Sequence, residues 1–335
     1  MIDWLTLHIG AENLPQDTIE RLSKISDKIM RITPEGEIAW STSTFQSLRS
    51  DTNGLSFSFT GLKLTIAGSP SSVVNPNNVF GSDDPLNCFI SMLNFFTKHT
   101  GIFLPYTASL YRATRIDYTE NVYVINQDNV KLALETLKNT KTRGDNVERK
   151  HTTIYWNKSS ALRSGKVYNK YLHAKKCIKA HTHYYTDEQL SLTKSLLRFE
   201  LKLGRIWFHH LEKHWSELTV EDLKKEHQTF FKNILGSIEV TNMNQLLNQL
   251  EKIAPTKSQA LAAFRTYQLV CSLGQEKTKL SMPKTTWYRH RKMLLDAGLC
   301  KSDLELGEIV QFRRTKVIEM TPVNSWAELK LASGA

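Results

Sequence analysis

Short segments in which apolar and polar residues alternate recur through the first 203 residues of the chain. They include IDWLTLHI (2–9), LSFSFTGLKLTIAGSP (55–70) and LRFELKL (197–203). Such alternation is typical of strands with one buried face, and Gly61 inside the second segment marks the turn of a hairpin. Helical spacing appears between these segments, for example in residues 85–101. The mixture predicts an α+β domain built on an antiparallel sheet.

The pattern becomes helical after about residue 205. Residues 240–254, 257–274 and 281–298 have the spacing of helices. The chain has 335 residues, enough for two domains with substantial cores. We therefore expect a catalytic domain at 1–220 and a mostly helical domain at 240–335, with the boundary somewhere in 205–245.

The charge of the chain indicates a polyanionic partner. Lys and Arg outnumber Asp and Glu by 44 to 33, a net charge of +11. Each phosphate that such a protein neutralises releases condensed counterions, which favours binding to nucleic acid. The four cysteines have no CxxC spacing, which argues against a zinc site or a disulfide framework. The start MIDWLTLHIG lacks the features of a signal peptide, and we expect a protein of the cytoplasm.

Three pairs of polar residues share one spacing, with a single residue between the two members. They are Arg115 and Asp117, Tyr168 and Lys170, and Arg198 and Glu200. Residues i and i+2 of a strand lie on the same face. If the three segments pair in one sheet, one face gathers two carboxylates, two arginines, a lysine and a tyrosine.

This set of side chains suits phosphodiester transfer. Asp117 and Glu200 are hard oxygen ligands for Mg²⁺ or Mn²⁺, and the arginines can hold phosphate oxygens. Lys170 can bind the phosphate or lower the pKa of Tyr168, the candidate nucleophile. The alternative interpretation is a set of surface salt bridges on a solvated sheet. A rival metal site is HTHYY (181–185), where two histidines are separated by Thr182.

The segment SMPKTTWYRHRKMLLDAG (281–298) has the composition of a DNA-binding helix. Trp287 and Leu294 fit a buried face, and Pro283 suits the first turn. The helix before it ends at Gly274, so the two helices are expected to form a helix-turn-helix. A basic surface helix with no DNA partner is the alternative. The residues expected to contact DNA are Lys284, Arg289, Arg291 and Lys292.

Several stretches, in this order along the chain, resemble one family. They are MID at the start, SPSSVVNPNNVFGSDD, TRID, TTIYWNKSS, VYNKYLH, LLRFELKL and MPKTTWYRHRKMLLDAGLCKSDL. The chain resembles the gene II replication initiators of filamentous phages, the phage replication protein II/X family. It is more distantly similar to plasmid rolling-circle initiators of the Rep-trans type, which share R-I-D, Y-x-K and R-x-E elements. It is shorter than the best-known members, mostly in the C-terminal half.

The resemblance implies a nickase domain related to the HUH type and a rolling-circle mechanism. Members nick the plus strand of double-stranded origin DNA, stay joined to the 5′ phosphate through a tyrosine, and later rejoin the displaced strand. The Y-x-K element places that tyrosine at Tyr168, and the acidic positions fall on Asp117 and Glu200. A host helicase and polymerase are the expected partners, in the host cytoplasm and without a membrane. The runner-up is a non-catalytic DNA-binding repressor or copy-control protein.

Overall fold

The computed structural model describes residues 1–49, 54–138, 147–150, 152–235, 243–299, 304 and 320–334. The strands are β1 Ile2–Gly10, β2 Lys28–Ile32, β3 Ile38–Ser43, β4 Gln46–Arg49, β5 Gly54–Phe59, β6 Lys63–Gly68, β7 Tyr111–Val124, β8 Val147–Lys150, β9 Thr153–Trp156, β10 Arg163–Asn169, β11 Leu196–Leu203 and β12 Met320–Val323. The α-helices are α1 Gln16–Ile25, α2 Pro70–Val74, α3 Pro85–Thr100, α4 Gln127–Lys138, α5 Lys170–Lys179, α6 Asp187–Leu192, α7 Arg205–His209, α8 Val220–Leu235, α9 Met243–Ile253, α10 Lys257–Leu273, α11 Gln275–Leu280, α12 Lys284–Asp296 and α13 Trp326–Ser333.

A large antiparallel sheet organises residues 1–203. Its strand order is β4-β5-β6-β1-β7-β11-β10-β9-β8, so the long strand β7 lies between β1 and β11. Strand β12 pairs with the far end of β7, beyond the residues that pair with β1. Strands β2 and β3 form a separate hairpin. The α+β prediction, with its antiparallel sheet, is confirmed.

One face of the sheet is apolar and forms the main core. Leu5 of β1, Ile116 of β7 and Phe199 of β11 are buried there. Helix α8 packs on this face through Phe231, whose ring meets that of Phe199 edge-on at 5.3 Å. Helix α3 begins where Asp84 accepts hydrogen bonds from the first turn and ends at Gly101, which has a φ of +67°. The alternation in the strands therefore leaves the opposite face of the sheet for polar residues.

The C-terminal region is helical, as expected, but the detail differs from the prediction. Helices α9, α10 and α12 share a second core that includes Leu250, Tyr267 and Leu294. The short helix α11 lies between α10 and α12, so it, and not the helix ending at Gly274, directly precedes the basic helix. No described helix has the length and apolar character needed to cross a membrane.

The end of the chain returns to the sheet. Strand β12 pairs with β7, and α13 packs Trp326 against Phe80 at a ring distance of 5.1 Å. The predicted helical domain at 240–335 therefore includes a strand of the antiparallel sheet. The division at 220–240 stays a prediction; α8 runs through Leu235, and residues 236–242 lie outside the described residues.

Candidate active site

Two of the three polar pairs identified in the sequence, and Tyr168 of the third, lie on adjacent central strands. Register places Tyr168 of β10 opposite Arg198 of β11, and Lys202 of β11 opposite Asp117 of β7. Directly opposed residues in antiparallel strands share a face, so these side chains lie on the polar face of the sheet. Two carboxylates, two arginines and the tyrosine of the expected set gather there, whereas the expected lysine, Lys170, lies in helix α5.

Two buried carboxylates line one pocket on this face, and each is held by a cation. Arg115 donates from Nε and Nη2 to the two oxygens of Asp117, at 2.8 and 2.5 Å. Lys166 Nζ lies 2.5 Å from Glu200 Oε1. The pocket measures about 150 Å³ and is also lined by Lys158. Burial raises the pKa of Glu200 to about 7, although the charge of Lys166 opposes this shift.

Tyr168 lies beside the pocket and is 5 % exposed. Its hydroxyl donates to Glu200 Oε2 at 3.4 Å, and Lys166 Nζ lies 5.4 Å from the ring centroid. Burial raises the pKa of Tyr168 well above its ordinary value, and the charge of Arg198 opposes that shift. Tyr168 therefore contacts two residues that line the pocket, Lys166 and Glu200.

Lys170 does not share a strand face with Tyr168. Strand β10 ends at Asn169, whose side chain accepts a hydrogen bond from Leu172 N and caps α5. An asparagine in this position favours the start of a helix, and that preference ends the alternation. Lys170 is fully buried, and its Nζ donates to Asn78 Oδ1 at 2.8 Å and to Asn78 O at 3.3 Å. Burial lowers the pKa of Lys170 well below its ordinary value, helped by the charge of Arg198.

Arg198 is also fully buried, and the loop NNVFG (77–81) holds it in place. It donates from Nη2 to Asn78 O and Val79 O, both at 2.5 Å, and from Nε to Asn121 Oδ1 at 2.9 Å. Asp3, at a register shift of β1, accepts from Arg198 Nη1 at 3.2 Å. Burial alone would raise the pKa of Asp3, but the charges of Arg198 and Lys170 hold it below its usual value.

Three residues of this site escaped the sequence reasoning. Lys166 precedes Tyr168 by two residues on one strand, so the same spacing rule could have identified it. Asp3 and Asn78 carry no such signal. Asp3 joins the site because of a register shift in β1. Asn78 joins it through contacts with Lys170 and Arg198, which lie 92 and 120 residues further along the chain.

The rival histidine pair does not form a shared site. His181 is exposed in a turn with a φ of +52°, and His183 contacts the hydroxyls of Ser72 and Thr182 at 3.1 Å each. Within the described ranges, no cluster of three or more His, Cys, Asp or Glu side chains could hold a metal.

The remaining donor set fits a magnesium or manganese ion. Mg²⁺ is commonly bound by one or two carboxylates, with water and substrate phosphate completing its shell. Asp117 and Glu200 are two such carboxylates on one pocket, 2 % and 3 % exposed. Their oxygens are neutralised by Arg115 and Lys166, so an incoming cation would replace part of those contacts.

Helix α12 presents the predicted DNA-contacting residues on its exposed side. Lys284, Arg289 and Lys292 are exposed, and Arg291 is half-buried beside them. Trp287 and Leu294 are buried as expected. His290, which lies between Arg289 and Arg291, is buried, with its Nδ1 2.7 Å from the hydroxyl of Thr266.

The polar face of the antiparallel sheet thus carries a tyrosine, two acidic and several basic side chains, and a helical region with its own core carries a basic helix. Two family models match this chain. Both describe a replication-associated protein: the model of its N-terminal part covers residues 1–231, and the model of its C-terminal part covers 250–326. The chain belongs to this family of phage replication-associated proteins, which confirms the resemblance to filamentous phage initiators.

Individual relatives agree with this assignment. The chain is 25 % identical to the replication-associated protein of Enterobacteria phage I2-2, over 89 % of this chain and 87 % of the relative. It is 23 % identical to the protein of the same name from Enterobacteria phage fd, over 78 % and 76 %. A structure titled as a rolling circle replication initiator protein from Geobacillus stearothermophilus aligns with a TM-score of 0.29 and 11 % identity, over 62 % of this chain and 75 % of that one. That score is too low to support an argument about fold or function.

Proposed function

We propose that the chain is a rolling-circle replication initiator that nicks one strand of double-stranded origin DNA and later rejoins it. The observation that carries the proposal is the meeting of Tyr168 with Glu200, Arg198 and Lys166 on adjacent strands, beside the pocket that Asp117 lines. Membership of a replication-associated phage family supports it. A repressor function would leave this buried charge network without a role.

Tyr168 is the proposed nucleophile. Its phenolic oxygen attacks the scissile phosphorus, the bond from phosphorus to the 3′ oxygen breaks, and a 5′ phosphotyrosine and a 3′ hydroxyl result. The phenolic proton moves along the existing hydrogen bond to Glu200, and the leaving 3′ oxygen takes up a proton to become the 3′ hydroxyl, so the step neither gains nor loses a proton. One ester replaces another, so the strand can be rejoined by the reverse attack of a 3′ hydroxyl without ATP.

The basic residues have different roles in the proposed reaction. Arg198 lies opposite Tyr168 and lowers the cost of forming its phenolate, a part that the sequence had assigned to Lys170. Lys166 and Arg115 line the pocket and can meet phosphate oxygens there. Lys170 donates a hydrogen bond to Asn78, so its role is to position the NNVFG loop. Arg198 thus places a positive charge opposite the tyrosine.

A divalent ion, Mg²⁺ or Mn²⁺, is part of the proposal. Asp117 and Glu200 would hold it. When bound, it would polarise the scissile phosphate and stabilise charge in the transition state. Helix α12, through Lys284, Arg289 and Lys292, would bind origin duplex and bring it to the sheet. A host helicase and polymerase would then act on the nicked strand, by the family resemblance.

The experiment uses the supercoiled double-stranded form of the genome that encodes this chain, with Mg²⁺ or Mn²⁺. The wild type should convert it to the nicked form and leave a covalent adduct on the 5′ end, detected on a denaturing gel. Tyr168→Phe removes only the hydroxyl and should abolish both products. Tyr171→Phe is the matched control and should nick. Asp117→Asn should cut nicking severely, whereas His181→Ala with His183→Ala should not.

Peptide mapping of the adduct decides between tyrosines. Tyr155 lines the pocket, opposite Lys166, so an adduct there would move the nucleophile to β9. A nick with a free 5′ phosphate and no adduct would reject the transferase mechanism. Supercoiled DNA that stays intact with every metal, together with tight duplex binding, would favour the repressor.

A further inference from the structure

The exposed side of α5 carries positive charge that the proposed chemistry leaves unused. Helix α5 begins one residue after Asn169, so it leads directly away from Tyr168. Lys175, Lys176 and Lys179 are exposed on it. Its ten residues, KYLHAKKCIK, include no acidic residue. Lys194, in the 3₁₀ helix Thr193–Ser195 between α6 and β11, is exposed as well.

These four lysines have no ion-pair partner within the described ranges, whereas two lysines of the pocket do. Lys166 pairs with Glu200 and Lys158 with Glu148. Helix α6, which packs beside α5, carries Glu188, but that carboxylate pairs with Lys330 of α13. The charge on α5 is therefore available to meet a ligand.

An aromatic ring lies among these lysines. Lys175 Nζ lies 5.0 Å and Lys194 Nζ lies 5.9 Å from the ring centroid of Tyr171, which is half-buried. Proteins that hold single-stranded nucleic acid combine a cationic track for the backbone with aromatic rings on which bases stack. Tyr171 and its lysines have both parts.

The position of α5 relative to Tyr168 indicates which part of the substrate it meets. The ring of His173 on α5 lies 5.2 Å from that of Tyr168, and Lys166 and Glu200, which line the pocket, contact the same tyrosine. A strand whose phosphate reaches Tyr168 must continue in both directions. Because the pocket and α5 both adjoin Tyr168, the part of the strand outside the pocket can run along α5.

The strand at this point is single, because Tyr168 is almost fully buried and the pocket of about 150 Å³ is far smaller than a duplex. Resting on the function proposed above, we propose that the exposed side of α5, with Lys175, Lys176, Lys179 and Lys194 around Tyr171, binds the single-stranded DNA that flanks the scissile phosphate. This surface is separate from α12, which meets duplex.

The test measures binding of a fluorescein-labelled dT20 oligonucleotide by anisotropy, with EDTA present so that no cleavage occurs. Substitution of Lys175, Lys176 and Lys179 by Gln should weaken binding at least tenfold. It should also reduce the slope of log K against log salt by about 2, at roughly 0.7 per phosphate contact for a single strand. Tyr171→Ala should weaken binding about fivefold or more, and Tyr171→Phe, which keeps the ring, should not.

A control removes three exposed lysines from helices on the apolar side of the sheet: Lys24 of α1, Lys98 of α3 and Lys225 of α8. Equal losses for both triple variants would overturn the proposal, because they would indicate a non-specific effect of net charge. Equal loss of duplex binding in the α5 variant would also overturn it. If Tyr168→Phe still nicks while the α5 variant fails to bind dT20, the proposed chemistry fails and the single-strand surface stands.

Discussion

The polar face of the sheet and the exposed side of α12 are both basic, yet they use charge in opposite ways. Arg198 on the sheet and Lys170 at the start of the adjoining helix α5 are fully buried, and each is held by named acceptors. On α12, Lys284, Arg289 and Lys292 are exposed. A buried charge is costly unless every donor is satisfied, so its position is fixed by its partners. An exposed lysine or arginine costs little and moves freely.

The buried charges therefore set the geometry of the site, and the exposed charges set the affinity for DNA. Charges that are fixed within the protein can orient a phenol and a phosphate, because preorganised groups need no rearrangement during the reaction. Charges on an exposed helix contribute mainly through counterion release, which depends on their number. Substitutions in the two regions should therefore affect different measurements.

The largest effect is expected from Arg198→Met. The substitution keeps much of the side-chain length but removes the ion-pair partner of Asp3 and takes one donor from each of the buried carbonyls of Asn78 and Val79. Removing one member of a buried ion pair typically costs about 3–5 kcal/mol. The free energy of unfolding, measured by urea denaturation, should fall by that order. Arg289→Met is the matched control on α12 and should change it by less than about 0.5 kcal/mol.

A loss of similar size for both arginine variants would contradict the contrast between the two regions. If Arg198→Met is too unstable to purify, the conservative Arg198→Lys provides a second measurement. It keeps the charge but provides fewer donors than the guanidinium, so it should show an intermediate loss of stability.

A smaller effect, on a different measurement, is expected from Arg289→Ala combined with Lys292→Ala. Affinity for a duplex of about 30 base pairs should fall, and the slope of log K against log salt should decrease by about 1.8, at roughly 0.9 per phosphate contact. Stability should stay at the wild-type value, and cleavage of a short single-stranded origin oligonucleotide should survive. Unchanged duplex binding would show that α12 does not carry the interaction.

The central sheet could be predicted from the sequence because its strands follow one rule. Alternation with a period of two identifies β1, β6, β7 and β11, and the same spacing correctly puts Arg115 with Asp117 and Arg198 with Glu200 on one face. The hairpin at Gly61 was also predictable, since local turn chemistry determines it. These features depend on neighbours that are close along the chain.

The parts that escaped prediction depend on distant partners or on a choice between two local signals. In VYNKY the alternation continues through Lys170, but the cap at Asn169 prevails and the lysine enters a helix. Strand β12 is four residues long and forms by pairing with β7. The hairpin of β2 and β3 is mostly exposed, so its strands do not have one buried face that alternation would reveal. The NNVFG loop gained an account only from its contacts with Arg198 and Lys170.

The smallest expected effect concerns acid stability and arises next to the polar face of the sheet. Burial lowers the pKa of His173 to about 3, assisted by the nearby charges of Lys170 and Arg198, so the ring stays neutral in the folded protein. In the unfolded chain its pKa is near 6.5. Between about pH 6.5 and 3 the unfolded chain therefore binds one more proton, and the free energy of unfolding falls as pH falls. The contribution is fully present above about pH 6.5.

His173→Gln should remove this dependence. Urea denaturation at about pH 7, 6 and 5 should show a shallower loss of stability with acid, by up to about 1.4 kcal/mol per pH unit, the value for one proton. The sheet region also holds His8, His183 and His227, whose pKa values burial lowers to about 4, so most of the acid sensitivity should remain. His209→Gln is the control, because an exposed ring keeps the same surroundings on unfolding. If His173→Gln leaves the dependence of the unfolding free energy on pH unchanged, the ring of His173 takes up its proton in the folded protein. Burial and the charges of Lys170 and Arg198 would then not keep this ring neutral.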